Sequence, residues 1–170
     1  MKLFLDRVGR TKIHPPQPRV SLIFRARLLE KLHAACPSSA LTLLSAPAGS
    51  GKTTLLASLR IAFPDEVYLW LAVDENDNDP AQFFTLLLAA LEARQPNSTA
   101  KTQALLNSLD QFDLLLLLNT LINDVIDHLP DPFTLIVDDV HFLTNQSLLK
   151  GLDYLLERAP AQMHVLMAGR

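Results

Sequence analysis

One short stretch restricts the folds open to this chain more than any other: Ala46-Pro47-Ala48-Gly49-Ser50-Gly51-Lys52-Thr53-Thr54. A β-like run, Leu41 to Ser45, precedes it, and a helical run, Leu55 to Leu59, follows. Gly49 and Gly51 can adopt backbone angles closed to other residues and leave room beside the main chain. A loop so placed turns its own N–H groups and the positive end of the following helix toward one point, which suits a phosphate. Lys52 then supplies a mobile cation for the β- and γ-phosphates, and Thr53 a hydroxyl for Mg²⁺. The strict pattern opens with Gly; Ala46 stands in that place here, so the match is to the relaxed form. The alternative is a Gly-containing turn that opens an ordinary helix. The flanking strand and helix favour the nucleotide site.

Composition narrows the rest. With 170 residues, 49% hydrophobic and 19% charged, the chain can bury the core of about one domain. A net charge of −3 gives no electrostatic footprint for DNA or RNA. Cys36 is the single cysteine, so no internal disulfide forms, and nothing in its surroundings suggests metal binding. The Leu114 to Leu118 run is far shorter than the ~20 apolar residues a membrane crossing needs. The apolar stretch at Met1 to Leu5 is too short for a signal peptide. A cytoplasmic chain without a membrane partner is expected.

In order, residues 1–20 read as an extended arm. Pro15, Pro16 and Pro18 oppose helix, and Lys12, His14 and Arg19 keep the arm polar. A helix from about Ala26 to Ala35 carries Leu28, Leu29 and Leu32 on one face and ends at Pro37. Arg25, at its start, reads as a solvated charge. After the loop a helix runs to about Ala62 and breaks at Pro64. Val67 to Val73 is a continuous apolar run, as in a strand covered on both faces. The acidic turn Asp74 to Asp79 lacks the Gly at position 6 and the Glu at position 12 of a Ca²⁺ loop, so capping and solvation are its expected roles. Asp79 and Pro80 open a helix to about Ala93. Gln95 to Thr102 is a polar connection, and a helical segment, interrupted or not near Asp110, continues to His128. Leu114, Leu118, Leu121, Ile122, Val125, Ile126 and Leu129 form its apolar stripe.

A second motif follows at Phe133 to Asp138-Asp139. A buried strand there places Asp138 at its C-terminal end, where ligands sit in open α/β sheets. Beyond a phosphate loop, such an acid holds Mg²⁺, and the next one can orient the attacking water. That second acid is often Glu; Asp139 is one methylene shorter. His141 reads as a loop histidine with a satisfied hydrogen bond. Asn145 caps a helix from Gln146 to Glu157, with Leu148, Leu149, Leu152, Leu155 and Leu156 inward. The last strand, Met163 to Ala168, leads to Arg170, which is either a phosphate sensor or simply the end of the chain.

Taken together, several segments resemble the N-terminal NTPase module of large ATP-binding LuxR-type regulators. These are the maltose-regulon activator-like members of the STAND class of P-loop NTPases. The likeness lies in Lys12 with Pro15-Pro16, Ile23 to Leu32, Ser45 to Leu55, Trp70 to Pro80 with Phe83 to Ala90, Ile136 to Leu143, and His164 to Arg170. It implies a three-layer α/β domain whose parallel sheet has strand order 5-1-4-3-2, with strand 5 missing here. It also places Arg25 near the nucleotide base and makes Arg170 the sensor of the γ-phosphate. Ser50 and Val140 depart from the aromatic residues usual in the family. Members run several times longer and add a winged helix, a repeat-built sensor and a DNA-binding helix-turn-helix, none of which fits after Arg170.

The expected organisation is an arm over 1–25 and a P-loop NTPase domain over 26–170. Its expected chemistry is Mg·ATP binding and slow hydrolysis, used as the nucleotide switch of a transcriptional regulator. The rivals are a P-loop kinase, for which no Arg-rich lid follows residue 100, and an interaction module that binds nucleotide without hydrolysing it. In the full-length form the module would self-associate, while this segment itself would not bind DNA. The Leu41 to Ser45 strand would be an open edge with no Lys or Pro to discourage pairing, so the segment alone is expected to self-associate.

Overall fold

The computed structural model describes residues 9–17, 24–36, 39–108 and 113–170. Within them four strands, β1 (Leu41–Ser45), β2 (Tyr68–Ala72), β3 (Phe133–Asp138) and β4 (Met163–Gly169), form one parallel sheet in the order β1-β4-β3-β2. That order agrees with the expected 1-4-3-2 succession. β3 and β4 are central and read as unbroken apolar runs, as strands covered on both faces must.

Alternation along each strand divides the core in two. Trp70, Ile136, Leu166 and Ala168 point to the face covered by helices α1 (Ala26–Ala35) and α2 (Lys52–Ala62), where they meet Leu29, Leu32, Leu56 and Leu59. Leu69, Leu71, Leu135, Val137 and Val165 point to the other face. There α3 (Pro80–Arg94), α4 (Ala100–Ser108), α5 (Leu114–His128) and α6 (Gln146–Glu157) supply the covering side chains. The result is a three-layer α/β domain.

Several boundaries follow from local chemistry. Asp79 accepts from the Gln82 N–H ahead of Pro80, so α3 starts where the Asp-Pro pair predicts. Asn145 accepts from the Ser147 and Leu148 N–H groups and opens α6 in the same way. α4 begins at Ala100, earlier than expected, because two buried carboxylates from other helices cap it. Glu92 accepts from the Thr99 N–H and hydroxyl, and Asp124 does so for Thr102.

The apolar stripes need three corrections. Leu28 is 40% and Ile126 51% exposed, each on the outer flank of its helix, whereas Leu117 is fully buried and completes the α5 stripe. Leu149 and Leu156 pack against the core from its margin. Pro18, Arg19, Ile23, Pro37 and Asp110 lie outside the described residues.

The arm differs most from expectation. Arg10–Lys12 form a single 3₁₀ turn, Ile13 is buried in the core, and Ile13 to Pro15 run along the β2 edge beside Tyr68, Leu69 and Trp70. The described part of the arm, residues 9–17, is therefore packed against the sheet, and the polar Lys12 is an ion-pair partner of Asp74 and Asp77.

Candidate functional site

The loop after β1 has the backbone its sequence demands. Gly49 sits at φ +75° and Gly51 at φ +88°, a region that side-chain-bearing residues seldom enter. No other described residue lies within 4 Å of where a Gly49 Cβ would stand, its chain neighbours aside, so conformation, and not crowding, calls for glycine there. Gly51 opens α2 with no side-chain cap, which leaves the N–H groups of the first turn available to an anion. The loop's start is anchored to the centre of the sheet: Ser45 pairs with Gly169, and the Ala46 N–H donates to the Gly169 carbonyl.

Each predicted loop residue has a definite place. Lys52 Nζ donates to the Ala46 carbonyl at 2.7 Å and to that of Pro47 at 3.1 Å, folding back over its own loop. Ser50 closes a turn through its N–H to the Pro47 carbonyl, while its buried Oγ has no partner among the described residues. Ala48 is exposed on the loop crest, as is Thr54 on the first turn of α2. Arg25, the residue just ahead of α1, donates from Nη1 to the Ser50 carbonyl at 3.2 Å. It is thus held on the phosphate loop instead of being merely solvated.

Opposite the loop, Asp138 ends β3 and is only 2% exposed. Burial, and then the charge of Asp139, raise its pKa against the opposing pull of the Thr53 hydroxyl and the charge of Lys52. Those opposing influences name the residues brought together: Lys52 and Thr53 from the loop, Asp138 and Asp139 from β3. Asp139 adopts the left-handed conformation at φ +62°, an uncommon state for a residue with a side chain. Its N–H donates to Asp138 Oδ1.

His141 departs from its expected role. Both ring nitrogens are buried and without a hydrogen-bond partner among the described residues, and Nδ1 lies 3.7 Å from Asp139 Oδ1, beyond a hydrogen bond. The turn carrying it packs on the end of β4, where a Cβ on Gly169 would stand 2.9 Å from Val140 Cγ2. Arg170, exposed, follows directly.

The residues sequence reasoning missed lie beside this site. A cavity of about 440 Å³ opens between Thr53, Trp70, Asp138 and Asp139 on one side and Arg10 and His14 of the arm on the other. Lys12 is held between Asp77 at 2.6 Å and Asp74 at 2.8 Å, so the cation of the acidic turn is a lysine ammonium. Burial lowers the Lys12 pKa, but hydrogen bonds and the charges of both carboxylates outweigh it and leave the pKa raised. Asp74 is lowered, chiefly by its bond to Lys12. The same turn reaches the loop beyond the paired acids, where Asn78 Oδ1 accepts from the Thr144 and Asn145 N–H groups at 2.8 Å. Lysine near the chain start and an Asp pair after β2 were visible as residues. Their meeting across 65 positions was not.

A parallel sheet of this order, with a glycine-bent loop between its first strand and a helix and an acid closing an adjacent strand, is the fold of P-loop NTPases. Residues 23–170 match the AAA domain family, and the chain belongs to it. It is 31% identical over 160 residues to the HTH-type transcriptional regulator MalT of Serratia proteamaculans (strain 568), and 30% identical to MalT of Yersinia enterocolitica. Each alignment covers 94% of this chain and 17% of the regulator, so the chain spans about a sixth of the length of these curated relatives. In fold it resembles the Walker-type ATPase PABY2304 of Pyrococcus abyssi, with a TM-score of 0.57 and 17% identity. That likeness covers 92% of this chain and 47% of the other.

Proposed function

We propose that the chain binds Mg·ATP at the loop and hydrolyses it slowly, as the nucleotide switch of a signal-responsive regulator. One observation carries this reading: Thr53, at the start of α2, lines the same cavity as the buried Asp138 at the end of β3 and its neighbour Asp139. A hydroxyl and a carboxylate so placed are oxygen ligands suited to Mg²⁺, which keeps waters and substrate phosphates as its other ligands. Among the described residues no group of three or more His, Cys, Asp or Glu is placed to hold a metal ion.

The glycine-bent loop and the uncapped first turn of α2 would cradle the phosphates, with Ala46 to Thr54 forming the cradle. Lys52, now on its own carbonyls, would swing to the β- and γ-phosphates. Arg25 would close the loop's other side, and Arg170 would approach from the end of β4. When bound, Mg²⁺ neutralises charge developing between the β- and γ-phosphates. Asp139 would orient water. The switch role rests on the similarity to MalT regulators, as does self-association through this module, which the open β1 edge also supports. No helix among the described residues is long and apolar enough to cross a membrane.

Calorimetry on Lys52→Ala tests the reading. Charge-assisted bonds to phosphate contribute about 1.5–3 kcal/mol each. Mg·ATP affinity should therefore fall roughly ten- to a hundred-fold with the melting temperature unchanged. Unaltered affinity would remove the loop from the site.

A further inference from the structure

We infer that the N-terminal arm is a wall of the nucleotide site: Lys12, clamped between Asp74 and Asp77, positions Arg10 and His14 across the cavity from Thr53, Asp138 and Asp139. This rests on the proposed Mg·ATP site and adds to it a part of the chain that carries no phosphate motif.

Three observations converge. The clamp is tight and spans distant sequence, with Lys12 Nζ bonded to both carboxylates and Asp77 almost fully buried. Removing one partner would leave a buried charge uncompensated, so the arrangement strongly favours the docked arm. The clamp also lies two residues from groups with chemistry to offer. The Arg10 side chain has no hydrogen-bond or ion-pair partner among the described residues, yet it lines the same cavity as the paired acids. A guanidinium facing an acid-lined cavity is suited to the oxygens of a phosphoryl group held there with its metal.

Finally, the acidic turn is bonded at its other end to the loop after Asp139. Asn78 takes two N–H groups from Thr144 and Asn145 and donates to the Thr144 hydroxyl at 2.9 Å. One rigid turn therefore holds the arm on one side and the loop after the acids on the other. A shift at Asp138 and Asp139 on metal binding would be passed to the arm, and a released arm would loosen the loop. Lys12 is thus a positioning residue, and the arm and the metal side of the site are coupled.

The chain's single tryptophan reports on this directly, because Trp70 lines the same cavity. Without nucleotide, Lys12→Met should raise acrylamide quenching of Trp70 about twofold or more, because the arm no longer shields the ring, while Lys12→Arg should stay near wild type. Lys12→Met should also lower Mg·ATP affinity about tenfold, within the usual range for coupled sites. Affinity for metal-free ADP should change less than twofold. A purely structural role would weaken both nucleotides alike and lower the melting temperature with them.

Unchanged quenching in Lys12→Met would overturn arm docking by the clamp, whatever the nucleotide does. Raised quenching with Mg·ATP affinity intact would overturn the coupling. If the wild-type chain itself bound no Mg·ATP, the proposed function would fail and the coupling with it, whereas the quenching result would still stand on its own.

Discussion

The two edges of the sheet are treated in opposite ways. At one edge, β1 carries the phosphate loop at its C-terminal end yet exposes Leu41 at 39% and Leu43 at 64%. At the other, β2 carries no phosphate-binding residue, yet Ile13 and the arm cover it and Lys12 fastens the cover to Asp74 and Asp77. Bare parallel edges invite pairing, and natural sheets blunt them with charge, proline or a covering segment. Among the described residues, the β2 edge has both a prolyl segment and a charge, and β1 has neither. The covered edge is also the side of the paired acids, so covering it shapes a cavity there. At the open edge the phosphate loop is framed by β4 on one side and by Arg25, on the Ser50 carbonyl, on the other.

The comparison breaks most sharply at β3. If the covered half is the metal half, Asp138→Asn should lower Mg·ATP affinity by about tenfold or more, since it removes a charged ligand, and should lower metal-free nucleotide affinity much less. Asp139→Asn should leave binding within about threefold and slow turnover instead, as loss of a water-orienting group does. Equal losses of binding in both variants would mean that the roles are wrongly divided. Calorimetry with and without Mg²⁺, followed by a phosphate-release assay, separates them.

The open edge comes next. Leu43→Lys places a charge on an exposed side chain of β1 and sets it against its counterpart in a second copy. Self-association measured by light scattering should weaken about tenfold, because like charges at an edge oppose pairing. Folding stability should move by no more than about 0.5 kcal/mol at so exposed a position. Equal scattering from wild type and variant would mean that copies, if they associate, do so elsewhere.

Much of this was legible in the sequence wherever local chemistry decides. The Asp79-Pro80 pair, the Asn145 cap and the glycine-bent loop each act within a few residues, and the structure places them where the spacing puts them. The paired acids were legible because a buried apolar run ends in them. What stayed hidden depends on contacts distant in sequence. α4 starts early because Glu92 and Asp124 reach it from other helices. Leu117 and Ile126 exchange burial because the α5 face is chosen by its neighbours and not by period alone. The arm read as polar and extended because Lys12 and its carboxylate partners are far apart in the chain. His141 read as an ordinary loop residue because nothing in the sequence shows that both ring nitrogens end without partners.

The smallest expected effect, and the one most specific to the covered edge, is its response to pH. Asp74 titrates below its ordinary value of 3.8, so its part in the clamp is fully present above that value and is lost as pH falls through the lowered one. Lys12 titrates above 10.5, so its part is fully present below 10.5 and is lost as pH rises through the raised value. Quenching of Trp70 should therefore stay flat from about pH 5 to pH 9, given ordinary carboxylate and ammonium ranges. It should rise as pH falls below 3.8, and rise again in the alkaline limb. Lys12→Met, with its arm already released, should show neither step, which distinguishes clamp opening from general acid unfolding. The β1 edge, Leu41 to Ser45, carries no group that titrates in either window, so its self-association should not follow the same curve.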